Sequence, residues 1–226
     1  LWYFASGTCL PSAGDDGNGG ITHSVDVPVI GCVAKDWNKG CPVEPQWNGP
    51  NTEYNNVPRE PFPTVPTYYR TQYCQQDDSW RIYYGLYFKK DTSHKSDWED
   101  AIVKFVRTED RSKWRRYGLA MEVHGNRGIG YWQDIPNTFD GDGDLKQSGN
   151  KDRNYPKLFI GKFAHTVNYD PEGQNKGGSC IGEDFKTDDF YLWSLKHLRS
   201  ANAIDRSWNY GQATNPHNVD LCGPEF

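Results

Sequence analysis

The sequence predicts a mainly β fold: a single-domain, disulfide-bonded antiparallel β-sandwich with a few peripheral α-helices. Three observations carry this. Segments rich in aromatic and β-branched residues recur along the chain, each near a turn signal, as expected of a sandwich. The first third is broken by Gly, Pro and Asn. The length of 226 residues fits one domain, with no apolar run long enough to cross a membrane as a helix.

Residues 1–66 read as an extended, disulfide-tied arm of the same domain, because Pro42, Pro45, Pro50, Pro58, Pro61, Pro63 and Pro66 exclude helices and central strands. Val25–Gly31 reads as an edge strand, with Pro28 arguing against a central one. Trp2-Tyr3-Phe4 reads as a strand packed on the core in preference to a membrane-inserting tip. The sandwich occupies 67–226. Trp80–Phe88, Ala101–Val106 and Tyr117–Val123 carry little charge and read as strands buried on both faces, while Leu158–Val167 alternates more cleanly. One helix is predicted after Thr187, where Asp188 and Asp189 form an acidic first turn and Tyr191, Leu192, Leu195 and Leu198 recur at three- to four-residue spacing. Residues 204–226 read as loop.

Composition narrows the function classes. The aromatic fraction is 15% with one Met, so rigid rings build the interior. A net charge of -5 leaves no basic surplus for nucleic acid. The cysteines at 9, 32, 41, 74, 180 and 222 are even in number and contain no C-x-x-C, which indicates three disulfides in an oxidising compartment. Only Cys32–Cys41 is close enough in sequence to suggest a pair. A start at Leu1 with the only methionine at Met121 reads as a processed, secreted, extracellular protein. Without a coiled-coil repeat, a monomer is the default.

The densest polar cluster runs from Asp91 to Asp100, between two apolar strands. Asp97 and Glu99 are two apart, so in extended backbone they share a side, and two carboxylates on one side repel unless a cation or proton lies between them. Asp91 and His94 come from the same turn. The oxygen-rich set suits Mg²⁺ or Ca²⁺. A solvated acidic turn is the alternative.

The segment resembles the hallmark G-H-R-H-D-W-E of the necrosis- and ethylene-inducing peptide 1-like proteins, secreted microbial cytolysins. Here Ser93-His94-Lys95-Ser96-Asp97-Trp98-Glu99 is identical at His94, Asp97, Trp98 and Glu99. The upstream Tyr87-Phe88-Lys89-Lys90-Asp91 looks like the family's Y-F-P-K-D run, and Ala164-His165-Thr166 is similar to its later N-H-A histidine. The resemblance covers roughly 65–210, and Gly31-Cys32 with Cys41 looks like the early cysteine pair. It implies a divalent cation, Mg²⁺ or Ca²⁺, held by Asp97 and Glu99, with Asp91, His94 and His165 in support. Through that cation it implies a sugar headgroup of plant membrane sphingolipid as ligand, with peripheral membrane contact and membrane damage. A Trp98 lodged between the ligands would fix their orientation, and Lys95 and His124 would lie toward the bound ligand. Ser93, Lys95 and Ser96 depart from the hallmark, and Gly161 stands where the family has a lipid-contacting Trp. These departures favour, as the alternative, a non-cytolytic glycan-binding relative.

Other signals are weaker. Asp140-Gly141-Asp142-Gly143-Asp144 fails the calcium-loop pattern, with Leu145 and Lys151 where Gly and Glu are required, and reads as an acidic turn. The glycines after His124 read as a turn. His23, His197 and His217 read as surface residues. No G-x-S-x-G or H-E-x-x-H is present, and a carbohydrate-active enzyme is the least supported class.

Overall fold

A computed structural model describes residues 2–5, 8–27, 39–41, 66–91, 94–123, 125–140, 149–170, 190–192 and 198–226. Twelve strands appear among them. They are β1 (Trp2–Ala5), β2 (Thr67–Cys74), β3 (Ser79–Lys90), β4 (Lys95–Arg107), β5 (Trp114–Val123), β6 (Asn126–Tyr131), β7 (Thr138–Phe139), β8 (Tyr155–Pro156), β9 (Leu158–Ile160), β10 (Val167–Asn168), β11 (Phe190–Leu192) and β12 (Leu198–Ser200). A six-stranded sheet runs β12-β2-β3-β4-β5-β6, a four-stranded sheet runs β10-β9-β1-β11, and β7 pairs with β8.

The central strands are aromatic and β-branched because both faces of the large sheet are covered over most of β3, β4 and β5, while Tyr69, Tyr73, Trp80 and Tyr131 stay exposed. On its inner face Leu86, Phe88, Ala101, Val103, Leu119 and Met121 meet Trp2, Phe4, Leu158 and Ile160 of the small sheet. Phe4 and Phe88 touch edge to face at 6.5 Å. On the outer face Tyr68, Tyr87 and Trp98 pack under Ala201, Ile204 and Tyr210. Further along, Tyr83, Ile102 and Ala120 pack under Val219 and Leu221. Each fully buried large side chain contributes about 1.5–3 kcal/mol. The apolar runs of β3, β4 and β5 thus match strands enclosed by a second sheet and by the C-terminal segment.

The structure corrects four expectations. The helix after Thr187 is replaced, among the described residues, by β11 and β12; the remainder of that segment lies outside them. Phe190, Tyr191 and Leu192 pair with Ala5, Phe4 and Tyr3, and Leu198–Ser200 pairs with Thr67–Tyr69. Strand partners thereby outcompeted the helical spacing, as tertiary context often does. The described residues contain no α-helix, only three-residue helical turns. The sheets are not wholly antiparallel, since β1 runs parallel to β9 and β12 parallel to β2. Cys41 is bonded to Cys9, not to Cys32, because the chain brings their Cα atoms to 5.2 Å despite 32 residues of separation. Cys74 bonds Cys222, and Cys32 and Cys180 lie outside the described residues.

Smaller differences follow the same logic. Leu158–Val167 is two strands, β9 and β10, folded back at the intervening turn. Val25 forms no strand, although its N–H donates to the Lys89 carbonyl at 3.0 Å; Pro28 to Gly31 lie outside the described residues. Trp2, Tyr3 and Phe4 are buried in the core, and β1 is an interior strand of its sheet. His217 is not a loose surface residue: its Nε2 lies 2.9 Å from the carbonyls of both Ala201 and Ile204.

Candidate functional site

The end of β4 positions the acidic cluster. Residues 95–100 pair with β3 on one side, through contacts such as Phe88–Asp97 and Leu86–Glu99. On the other side β5 joins only from the Ala101–Met121 pair, so this end of β4 has a bare edge. A cleft of ≈ 660 Å³ opens there. Its walls are the β5–β6 turn, at Gly125 to Arg127, and the C-terminal segment from Gln212 to Pro224.

Asp97 and Glu99 lie opposite Phe88 and Leu86, so both project to the inner face, as their spacing predicts. Trp98 and Asp100 project to the outer face. Asp97 and Glu99 are 6% and 3% exposed. Asp97 Oδ2 lies 2.9 Å from Nδ1 of His165, a residue 68 positions away, so the later histidine stands beside the hallmark carboxylate. The His165 ring is stacked on Phe88 at 4.0 Å. Its backbone takes φ 56°, and Gly161 N–H closes the turn onto the Thr166 carbonyl at 3.1 Å.

Glu99 is incompletely satisfied. Its Oε2 is buried with no hydrogen-bond partner. Burial, the Asp97 carboxylate, Glu122 and Asp100 together push its pKa well above the usual carboxylate range. Glu122 is near enough to share a hydrogen bond with it. One proton between the two carboxyls relieves the repulsion, and a cation would do so as well.

The other predicted residues are placed differently. Asp91 lines the cleft, but Oδ1 accepts the His94 N–H at 2.6 Å and Oδ2 lies 3.3 Å from His94 Nε2. His94 Nδ1 lies 2.8 Å from the Ser96 carbonyl. Burial opposes the charged His94 ring, but Asp97 and Asp91 overcome it and raise its pKa. Lys95 turns away and pairs with Asp26. Trp98 lines the cleft with its ring packed among Tyr68, Tyr87 and Tyr210 at 5.3–5.4 Å. His124 lies outside the described residues.

Three contributors were not singled out in the sequence: Asp100, Glu122 and Arg127. Arg127 grips Asp100 with both terminal nitrogens, Nη2 donating to Oδ2 at 3.1 Å. Burial raises the Asp100 pKa while Arg127 opposes it; burial works against the Arg127 charge, and Asp100 outweighs that. Glu122 and Arg127 face each other across the β5–β6 turn, so the only available signal was charge on both sides of a glycine turn. Both terminal nitrogens of Arg127 are committed to Asp100 on the outer face, while Asp97 and Glu99 project to the inner one. Among the described residues, no three histidine, cysteine or carboxylate side chains converge as a ready-made metal cage. A cation here would rest on two carboxylates and fill its remaining positions with water or ligand hydroxyls, which is how Mg²⁺ is commonly held.

No protein-family model matches the chain, and no curated protein matches it. Solved structures do. The chain is similar to NLPPya in complex with mannosamine, at 15% identity and TM-score 0.50, over 95% of this chain and 78% of that one. It is likewise similar to a triple mutant of NLPPya, at 13% identity and TM-score 0.51, with the same coverage. At such identity the likeness speaks for architecture, and the fold is that of the necrosis- and ethylene-inducing peptide 1-like proteins.

Proposed function

We propose that this chain is a secreted glycan-binding protein whose acidic cleft takes a divalent cation on Asp97 and Glu99 and, through it, the sugar headgroup of a membrane sphingolipid. The observation that carries this reading is the buried, unpartnered Oε2 of Glu99 beside Asp97 at an open cleft. A buried carboxylate oxygen without a partner is costly, and a hard cation offsets that cost. When bound, the cation supplies a Lewis-acidic centre with open positions for hydroxyl oxygens. His165 orients Asp97 through Nδ1, in the way imidazole and carboxylate hold one another around metal sites. Asp91 supports the site through its contacts with His94. Trp98 supports the strand from behind. The NLPPya complex with mannosamine is in accord with a sugar as ligand in this fold. No bond-breaking step is required of the site.

A non-cytolytic version of the same activity is favoured by two specific observations. Gly161 presents no side chain on the turn that carries His165, and Lys95 is taken up by Asp26. Both features reduce the surface available to a lipid headgroup. Calorimetric titration of Mg²⁺ and Ca²⁺, with dye release from vesicles containing plant glycosyl inositol phosphoceramides, tests both versions. Asp97→Asn should abolish cation affinity while the melting curve stays cooperative; unchanged affinity refutes the cation site. Cation and glycan binding without dye release supports the non-cytolytic version.

A further inference from the structure

We propose a second binding site, independent of the acidic cleft, that takes a carboxylated saccharide such as a uronate oligomer. It is a cleft of ≈ 630 Å³ at the β5–β6 edge, lined by Arg115, Arg116, Tyr117, Tyr131, Trp132 and Asp152 among others. Its volume lies within the roughly 300–1,000 Å³ of small-ligand sites.

A bare strand edge next to a β-bulge builds it. Lys104 pairs with Gly118 and Phe105 with Arg116, so Tyr117 is an extra residue in β5. Strict alternation would send Arg115 and Arg116 to opposite faces of the sheet. Opposite Val106 and Phe105 they keep that alternation, but β6 ends at Tyr131 beside Gly118 and leaves this stretch of β5 with a bare edge, so the hollow at that edge is lined by both.

The two guanidinium groups are held differently. Arg116 lies over the buried Trp132 ring at 5.5 Å, with its Nε sealed from solvent and unpartnered. Arg115 is exposed and lies 5.7 Å from the Tyr117 ring. Among the described residues neither forms an ion pair, and Asp152 is the single carboxylate in the lining. The hollow is therefore locally positive on a protein of net charge -5. A planar guanidinium fork matches a carboxylate in two-point contact. The aromatic surface next to it is available, since Tyr131 is 44% exposed and meets Tyr117 edge to face at 5.8 Å. Sugar rings pack their C–H faces on such aromatics, while Asp152 and Gln133 offer partners for hydroxyls. Asp152 and the overall negative charge act against polyphosphates, which leaves a hydroxyl-rich ligand of modest anionic charge.

The test is calorimetric titration with tetragalacturonate and with its methyl ester. The acid should bind, and the ester at least about tenfold more weakly. Arg115→Ala and Tyr131→Ala, both at exposed positions, should each weaken the acid by about tenfold with melting curves unchanged. Asp97→Asn in the other cleft should leave this affinity alone. Equal binding of acid and ester, no binding of either, or full affinity in Arg115→Ala would overturn the proposal. Loss of affinity in Asp97→Asn would also overturn it, by moving the saccharide to the acidic cleft.

Discussion

Replacing Arg81 by methionine should loosen the wall of the acidic cleft from a point at the other end of the sheet. Arg81 is 2% exposed. Its Nη1 donates to the carbonyls of Leu221 at 3.1 Å and Pro224 at 2.9 Å. Its Nη2 donates to Asp77 at 2.7 Å, and its Nε donates to Ser79 Oγ at 3.2 Å. The guanidinium also lies over the Phe226 ring at 4.9 Å. Methionine fills much of the same space and makes none of these bonds. Breaking a buried pair costs about 3–5 kcal/mol when a charge is left alone. Here Lys104 stays 2.8 Å from Asp77, so the charge keeps one partner. The two stranded carbonyls and the lost charged bond then set a cost of about 3 kcal/mol. For a chain of this size that lowers Tm by roughly 6–12 °C. Differential scanning calorimetry measures the shift, and hydrogen exchange across 218–226 shows whether that segment undocks while Cys222 still tethers it. A drop of less than about 2 °C with unchanged protection would refute the idea that this buried arginine fastens the C-terminal wall.

Three further outcomes are expected. Hydrogen bonds from Lys104, Ser79 and Arg81 outweigh burial and hold the Asp77 carboxyl at about 2, below its ordinary 3.8, so its stabilising contribution is present above that ordinary value and is lost as pH falls toward 2. Urea melts from pH 5 to 2 should accordingly show a flatter acid limb in Asp77→Asn, and identical slopes would count against the network. Removing the Cys74–Cys222 bridge, which spans 148 residues, by a double substitution to alanine should cost up to about 5 kcal/mol in chain entropy, read as a lower denaturation midpoint. In Gly14→Ala the new Cβ would stand 2.7 Å from the Trp98 ring, so the ring must shift, at a cost of about 1–3 kcal/mol and with altered tryptophan emission; wild-type stability and emission would contradict this packing.

The hallmark residues were legible because their information is local. Two carboxylates two apart on a strand must share a face, and the structure places Asp97 and Glu99 together on the inner one. The long aromatic strands were legible for a related reason, since an unbroken apolar run of that length needs cover on both sides. The helix after Thr187 was misread because a short run at three- to four-residue spacing is also a run of good strand formers. Its outcome depended on β1, nearly 190 residues upstream, offering an open edge to Phe190–Leu192. Cysteine pairing failed in the same manner: nearness along the chain favoured Cys32 for Cys41, and nearness in space selected Cys9.

By itself, then, the sequence determined the β-rich class, the strand cores and the acidic pair, all properties of a few consecutive side chains. Tertiary structure decided which groups surround that pair. His165 reaches Asp97 across 68 residues, and Arg127 neutralises Asp100 from across the cleft. β5 stops pairing before the end of β4 and leaves the edge at which the cleft opens. The physical reason is that burial and charge balance sum over every neighbour in space. The unpartnered oxygen of Glu99, on which the functional reading rests, exists only once strands distant in sequence have closed around it.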